Sequence, residues 1–81
     1  TNPYILVVRA DDHESEQKAT DFLAQHTKRC VIKSKTVQKG DIELNLEIRL
    51  NDDNTDFINE LSDMDGVESA VLVSYNGDYM G

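Results

Sequence analysis

Apolar and polar side chains alternate without a break through the middle of the chain, over residues 41–50 (DIELNLEIRL). The apolar positions are Ile42, Leu44, Leu46, Ile48 and Leu50. Successive side chains of a β-strand point to opposite faces, so this pattern predicts a strand with one apolar and one polar face. A sheet built around it must be covered on one side only.

Three other segments have the composition of strands. Residues 4–9 (YILVVR) are apolar on both alternating sets, which is typical of a central strand. Residues 30–39 alternate weakly and are rich in lysine, which favours a position at a sheet edge. The sequence Lys39-Gly40-Asp41 predicts a hairpin between this segment and the next strand. Residues 67–75 (VESAVLVSY) form the last predicted strand.

Two segments have the apolar spacing of helices. Residues 14–26 place one apolar stripe at helical intervals, and Asp11 or Asp12 can cap the helix start. Residues 56–65 carry a second stripe, with Asn54 or Thr55 as its cap. Gly66 stands where a left-handed residue commonly ends a helix.

The element order is therefore βαββαβ. Two right-handed crossovers would place both helices on one face of a four-stranded antiparallel sheet, with strand order 4-1-3-2. We expect an α+β, ferredoxin-like sandwich that forms a single domain over residues 1–81. Because the chain starts Thr-Asn-Pro without methionine, we also expect it to be a fragment of a larger protein.

Composition excludes several classes of function. The net charge of −8 argues against nucleic-acid binding, because nucleic-acid binders present basic surfaces. Cys30 is the single cysteine, so no internal disulfide can form and a reducing, cytoplasmic compartment fits best. No apolar run approaches the roughly 18 residues of a membrane span.

Basic residues are concentrated in one segment. Residues 28–39 contain five Lys or Arg and no Asp or Glu, and all 16 acidic residues lie elsewhere. The segment can protect a sheet edge from aggregation or dock onto an acidic surface. If the parent is a membrane protein, it can also attract anionic headgroups.

The residues also exclude several families with this fold. The loop after the first strand has neither the Cys-x-x-Cys of metal carriers nor the glycine-rich anion loop of acylphosphatases. RNA-recognition domains need aromatic side chains on the open face of the sheet, where this chain has Glu43, Asn45, Glu47 and Arg49. No nucleophile with an adjacent base can be named, so we expect no enzyme activity and no cofactor.

Residues 58–67 (INELSDMDGV), followed by Ala70 and Leu72, resemble the second helix, glycine–valine junction and last strand of ACT-like regulatory domains. All six element lengths agree with that family. The resemblance implies a regulatory domain, such as the soluble tail of a bacterial membrane protein of unknown function. One departure is the loop after the first strand, where amino-acid-binding ACT domains have glycine and this chain has Asp11, Asp12 and His13. That loop is the predicted ligand edge for an unknown small-molecule effector.

A second acidic loop has the one-three-five spacing of a calcium site, at Asp52, Asn54 and Asp56. An EF-hand loop needs glycine at its sixth position, where Phe57 stands, and a glutamate at its twelfth, where Asp63 stands. A turn that caps the second helix is the better interpretation, and we predict no metal site.

Apolar side chains exceed what one face of the sheet can bury. Ile5 and Val7 lie on one alternating set of the first strand, and Val67, Val71, Val73 and Tyr75 on one set of the last. Because these two strands are predicted neighbours, half of the open face should be apolar, and exposed apolar patches usually mark interfaces. We therefore predict a homodimer through Ile5, Val7, Val71, Val73 and Tyr75.

Overall fold

A computed structural model describes residues 3–74 of the chain. Their elements are β1 (Pro3–Ala10), α1 (His13–His26), β2 (Arg29–Gln38), β3 (Asp41–Arg49), α2 (Phe57–Ser62) and β4 (Val67–Ser74). Within this range the strands form a four-stranded sheet in the order β2-β3-β1-β4, with every neighbouring pair antiparallel. The predicted order 4-1-3-2 is the same order counted from the other edge, so the α+β fold and its topology are confirmed.

The alternation in β3 sets which face of the sheet is buried. Leu44, Leu46 and Ile48 are at most 1% exposed, while the intervening Glu43, Asn45 and Glu47 are half-buried on the opposite face. The buried set packs with Leu6 and Val8 of β1 and with four helix residues, Ala19, Leu23, Phe57 and Leu61. Both helices therefore cover the same face, which we call the covered face, and leave the other as the open face.

Local signals in the sequence explain how α1 and the β2–β3 hairpin form. The Asp12 side chain accepts a hydrogen bond of 2.8 Å from the backbone N–H of Ser15 and so caps α1. Gln38 pairs with Asp41 across a two-residue turn in which Lys39 and Gly40 both have positive φ, 50° and 92°. Two positive φ values are the signature of the type I′ hairpin, whose twist matches that of the strands.

The second helix is shorter than predicted. It covers Phe57–Ser62, whereas the apolar stripe predicted residues 56–65. Met64 lies beyond the end of the helix but still packs against the core. The apolar spacing therefore predicted the buried positions correctly, but it overestimated the length of the helix. Gly66 has a φ of 83°, so its predicted left-handed conformation is confirmed, but it does not end α2, which stops at Ser62.

A β-bulge corrects the predicted face of Val67. Arg9 pairs with Ser69, but the next residue, Ala10, pairs with Val67, so Glu68 is an extra residue in β4. The insertion moves Val67 to the covered face, where it is 8% exposed, instead of leaving it in the set of Val71 and Val73. No helix in the described part of the chain is both long and apolar enough to cross a membrane.

Candidate functional site

The open face carries an apolar patch on the half formed by β1 and β4. Val7 lies directly opposite Val71, and Ile5 lies directly opposite Val73. Val71 and Val73 are 51% and 50% exposed, and Ile5 and Val7 are half-buried. The structure thus brings together four of the five predicted interface residues, which we call the apolar patch. Tyr75, the fifth, lies outside the described residues.

The other half of the open face is polar and carries ion pairs. Arg9 Nη1 lies 3.3 Å from Glu43 Oε1 at the boundary between the two halves. Glu47 contacts Lys33 Nζ and Arg49 Nη2, each at 3.8 Å. These paired charges stay in contact with water, so this half gains little from being covered by a protein partner.

The predicted ligand loop is organised by the start of α1. The hydrogen bond from Ser15 N–H to Asp12 lowers the pKa of the Asp12 carboxyl group below its ordinary value. His13 Nδ1 lies 3.1 Å from Glu16 Oε1, one turn further along the helix. The Asp11 backbone N–H donates to the Gly66 carbonyl oxygen at 2.8 Å, and its side chain turns towards β3 and β4. The side chains of Asp11, Asp12 and His13 therefore contact three different groups of residues and do not converge on one point.

Asp11 belongs to an acidic cluster that the sequence did not predict. Carboxylate oxygens of Asp11, Asp41 and Glu68, all exposed, lie within 4.8 Å of one another. The hydrogen bond with Asp11 and the negative charge of that residue raise the pKa of Glu68. Among residues 3–74 this is the one group of such side chains close enough to share a cation. Carboxylate oxygens suit calcium or magnesium chemically, but exposed acidic groups also gather without a metal.

The Asp52 loop folds as a pair of local turns. Asp52 accepts a hydrogen bond from Asn54 N–H at 3.0 Å, and Asn54 accepts one from Asp56 N–H at 2.8 Å. This loop, Phe57, Glu60 and His26 line a shallow cleft of about 270 Å³. The His26 ring stacks on Phe22 with ring centroids 4.0 Å apart, and its Nδ1 donates to the Phe22 carbonyl oxygen. The side chains of the loop thus form the turn that precedes α2. The predicted cap at Asn54 or Thr55 is wrong, because Asp56 is the N-cap residue of α2 and no side chain makes a capping hydrogen bond there.

The basic segment forms the outer strand β2, as its lysines predicted. Lys35 Nζ reaches Glu16 Oε2 of α1 at 2.7 Å, and the Glu16 side chain is only 8% exposed. The hydrogen bond from Lys35 is the main cause that lowers the pKa of Glu16. Cys30 is half-buried and packs against the core, and burial raises the pKa of its thiol, which disfavours the reactive thiolate.

Comparison with known proteins identifies a shared fold. No family model matches the chain, and no curated protein matches it. The structure is similar to the solution structure of the C-terminal domain of the MgtC protein from Mycobacterium tuberculosis. The TM-score is 0.68, and the match covers 99% of this chain and 94% of that domain at 15% sequence identity. At this identity the similarity shows that the two chains have the same fold.

Proposed function

We propose that this domain is a non-catalytic, ACT-like regulatory or assembly module that forms a homodimer through the apolar patch. The observation that supports it most directly is the half-exposed pair Val71 and Val73, set beside Ile5 and Val7 on the open face. Exposed contiguous apolar surface on a small domain usually marks an interface. A two-fold dimer lets the same patch serve both copies, and Tyr75 would extend it.

Light scattering during gel filtration tests the dimer. We expect the chain to dimerise, and we expect Val71→Lys to weaken the association at least about tenfold, because it places two like charges in an apolar contact. Thr36→Lys is the matched control, since Thr36 pairs with Glu43 on the polar half of the same face. The proposal would be wrong if the wild-type chain stayed monomeric at millimolar concentration. It would also be wrong if Val71→Lys and Thr36→Lys weakened the association equally.

We also propose that the loop at Asp11, Asp12 and His13 is the edge at which a small-molecule effector binds. The loop joins β1 to α1, and Asp11 lies beside Asp41 and Glu68, so several polar groups meet there. A thermal-shift screen with amino acids, nucleotides and divalent ions tests this, because a ligand that binds only the folded state raises the melting temperature. Loss of any such shift in Asp11→Asn would assign the ligand to this loop.

A second candidate function is a ligand-free tail in the cytoplasm that positions a larger parent protein, such as a membrane protein. The similar structure is the C-terminal domain of the MgtC protein, which favours this alternative. The two functions differ in the thermal-shift screen: a tail that only assembles its parent dimerises but does not respond to the ligands.

A further inference from the structure

Strand β2 and its two ends concentrate basic side chains on a domain that is otherwise acidic. Residues 28–39 contain no Asp or Glu, and all 16 acidic residues lie in the rest of the chain. The five basic residues of this segment are all exposed, and we call them the basic edge: Lys28, Arg29, Lys33, Lys35 and Lys39. The basic edge is therefore the part of this domain that attracts an anionic partner.

Ion pairs within the domain engage only the middle of the basic edge. Lys33 contacts Glu47 and Lys35 contacts Glu16, as described above. The other three basic side chains form no ion pair with any carboxylate in the described part of the chain; they are Lys28, Arg29 and Lys39. At a rise of about 3.3 Å per residue, the two ends of the segment lie roughly 30 Å apart. The unpaired charge is thus spread along a line, which suits an extended anionic surface better than a small anion.

Two half-exposed aliphatic side chains lie between these charged ends. Ile32 pairs with Leu46 and Val37 pairs with Ile42, so both lie on the covered face of the sheet. Their partners are buried, whereas Ile32 and Val37 lie at the rim of that face and are 55% and 56% exposed. The basic edge therefore has cationic ends and a partly apolar middle.

This combination fits an anionic lipid surface better than a protein partner. A protein strand would have to pair with the outer side of β2, where the extra residue Lys33 and the neighbouring charges disfavour pairing. A single strand is also too narrow for the roughly 800 Å² that each partner buries in a stable protein interface. A bilayer needs no matching contacts, because its headgroups attract any nearby basic side chain and its interface accepts aliphatic ones.

The net charge of −8 does not prevent such a contact. Charges more than about 8–10 Å apart are largely screened at physiological ionic strength, so the side chains nearest the bilayer determine the attraction. Strand β4 lies on the far side of the sheet, three strand spacings of about 4.8 Å from β2. The contact therefore does not rest on the dimer proposed above, which uses the apolar patch on β1 and β4.

We propose that the basic edge docks this domain onto the surface of an anionic bilayer. Lys28, Arg29 and Lys39 contact the headgroups, and Ile32 and Val37 enter the headgroup layer between them. Each basic side chain near such a surface contributes about fivefold to binding. The attraction weakens as the salt concentration rises, because salt screens exposed charges.

Sedimentation with vesicles tests the docking, at chain concentrations below the association midpoint of the dimer. The vesicles contain phosphatidylcholine alone or phosphatidylcholine with phosphatidylserine, and we expect binding only to the second kind. Lys28→Gln combined with Arg29→Gln should weaken this binding at least about tenfold. Arg9→Gln combined with Lys18→Gln removes the same charge outside the basic edge and should weaken it less than about threefold.

A second pair of variants tests the apolar middle of the basic edge. Ile32→Thr combined with Val37→Thr keeps β-branched side chains on the strand and should weaken binding to the anionic vesicles at least about threefold. Val71→Thr combined with Val73→Thr makes the same kind of change in the apolar patch, at side chains of similar exposure, and should leave the binding unchanged. Circular dichroism checks that all four variants keep the fold.

Four results would contradict the proposal. The chain would bind neither kind of vesicle, or it would bind both kinds equally. The two charge-removing variants would weaken binding equally, which would assign the effect to net charge. The two threonine variants would weaken binding equally, which would deny Ile32 and Val37 a place in the contact. Binding to polyglutamate without binding to any vesicle would assign the basic edge to an acidic protein surface, and the lipid docking would then be wrong.

Discussion

The two faces of the sheet are built from alternate residues of the same strands, yet they have opposite physical roles. On β3, Leu46 is fully buried on the covered face, and its neighbours Asn45 and Glu47 lie on the open face. On β1 and β4 the open face is apolar around Ile5, Val7, Val71 and Val73, although neither helix of residues 3–74 covers it. The covered face therefore accounts for the stability of the fold, whereas the open half formed by β1 and β4 has more apolar surface than folding requires.

The largest expected change in the free energy of unfolding comes from truncating one of two neighbouring side chains in β3. Leu46→Ala removes a fully buried side chain and should lower the free energy of unfolding by about 2–5 kcal/mol. Asn45→Ala, one residue away on the open face, should change it by less than about 0.5 kcal/mol. Urea unfolding followed by circular dichroism measures both, and similar losses at the two positions would contradict the assignment of the faces.

A second test addresses the layer that covers the sheet. A Cβ at Gly66 would lie 2.5 Å from the Ser15 Cβ at the start of α1, in a backbone conformation with a φ of 83°. Gly66→Ala should therefore cost about 3 kcal/mol, from left-handed strain and overpacking together. Gly40 also has a positive φ, but its nearest neighbour is an Asp11 carbonyl oxygen at 3.6 Å. Gly40→Ala should cost only the strain, about 1–2 kcal/mol, and equal losses of unfolding free energy in the two variants would argue against the Ser15 contact.

Sequence periodicity predicted the covered face well because burial of one face is a requirement that every strand repeats. The element order and the right-handed crossover rule were sufficient to derive the strand order, and the alternation of β3 was sufficient to show that one face is covered. Val67 was assigned to the wrong face because a bulge adds one residue without any composition that marks it. The end of α2 was misplaced because the apolar position Met64 is buried whether or not the helix continues to it.

The acidic cluster escaped prediction for a different reason. Asp11, Asp41 and Glu68 come from the β1–α1 loop, the start of β3 and the bulge of β4, so sequence spacing carries no sign of their proximity. Knowledge of the strand order would bring Asp11 and Asp41 together, because Ala10 pairs with Ile42. Glu68 joins them only through the bulge.

Ion pairs on the two faces offer a third test, with a smaller effect. The carboxylate of Glu16 is buried and hydrogen-bonded to Lys35, whereas the Arg9–Glu43 pair on the open face is 49% and 37% exposed. At neutral pH, Glu16→Gln should cost about 1 kcal/mol of unfolding free energy, and Glu43→Gln less than about 0.5 kcal/mol.

The contribution of Glu16 to the free energy of unfolding should decrease as the pH falls. Because its pKa in the folded state lies below the ordinary value of 4.5, the folded chain binds fewer protons there than the unfolded chain. Its contribution is present above pH 4.5 and is lost as the pH falls through the lowered value. The free energies of unfolding of wild type and Glu16→Gln, measured by urea titration, should therefore converge in acid. A difference that stays constant with pH would contradict the contact with Lys35.

The smallest expected effect lies at the bulge, where the sign of the pH dependence is reversed. The hydrogen bond and the charge of Asp11 raise the pKa of Glu68, so the folded chain binds more protons there than the unfolded chain. Stability is therefore lost as the pH rises from 4.5 through the raised value, and Glu68→Gln should melt at a higher temperature than wild type at neutral pH. Asp65→Asn removes the same charge from an exposed site outside the cluster and controls for net charge. If both variants shift the melting temperature equally across this pH range, the effect belongs to the net charge of the domain and not to the contact of Glu68 with Asp11.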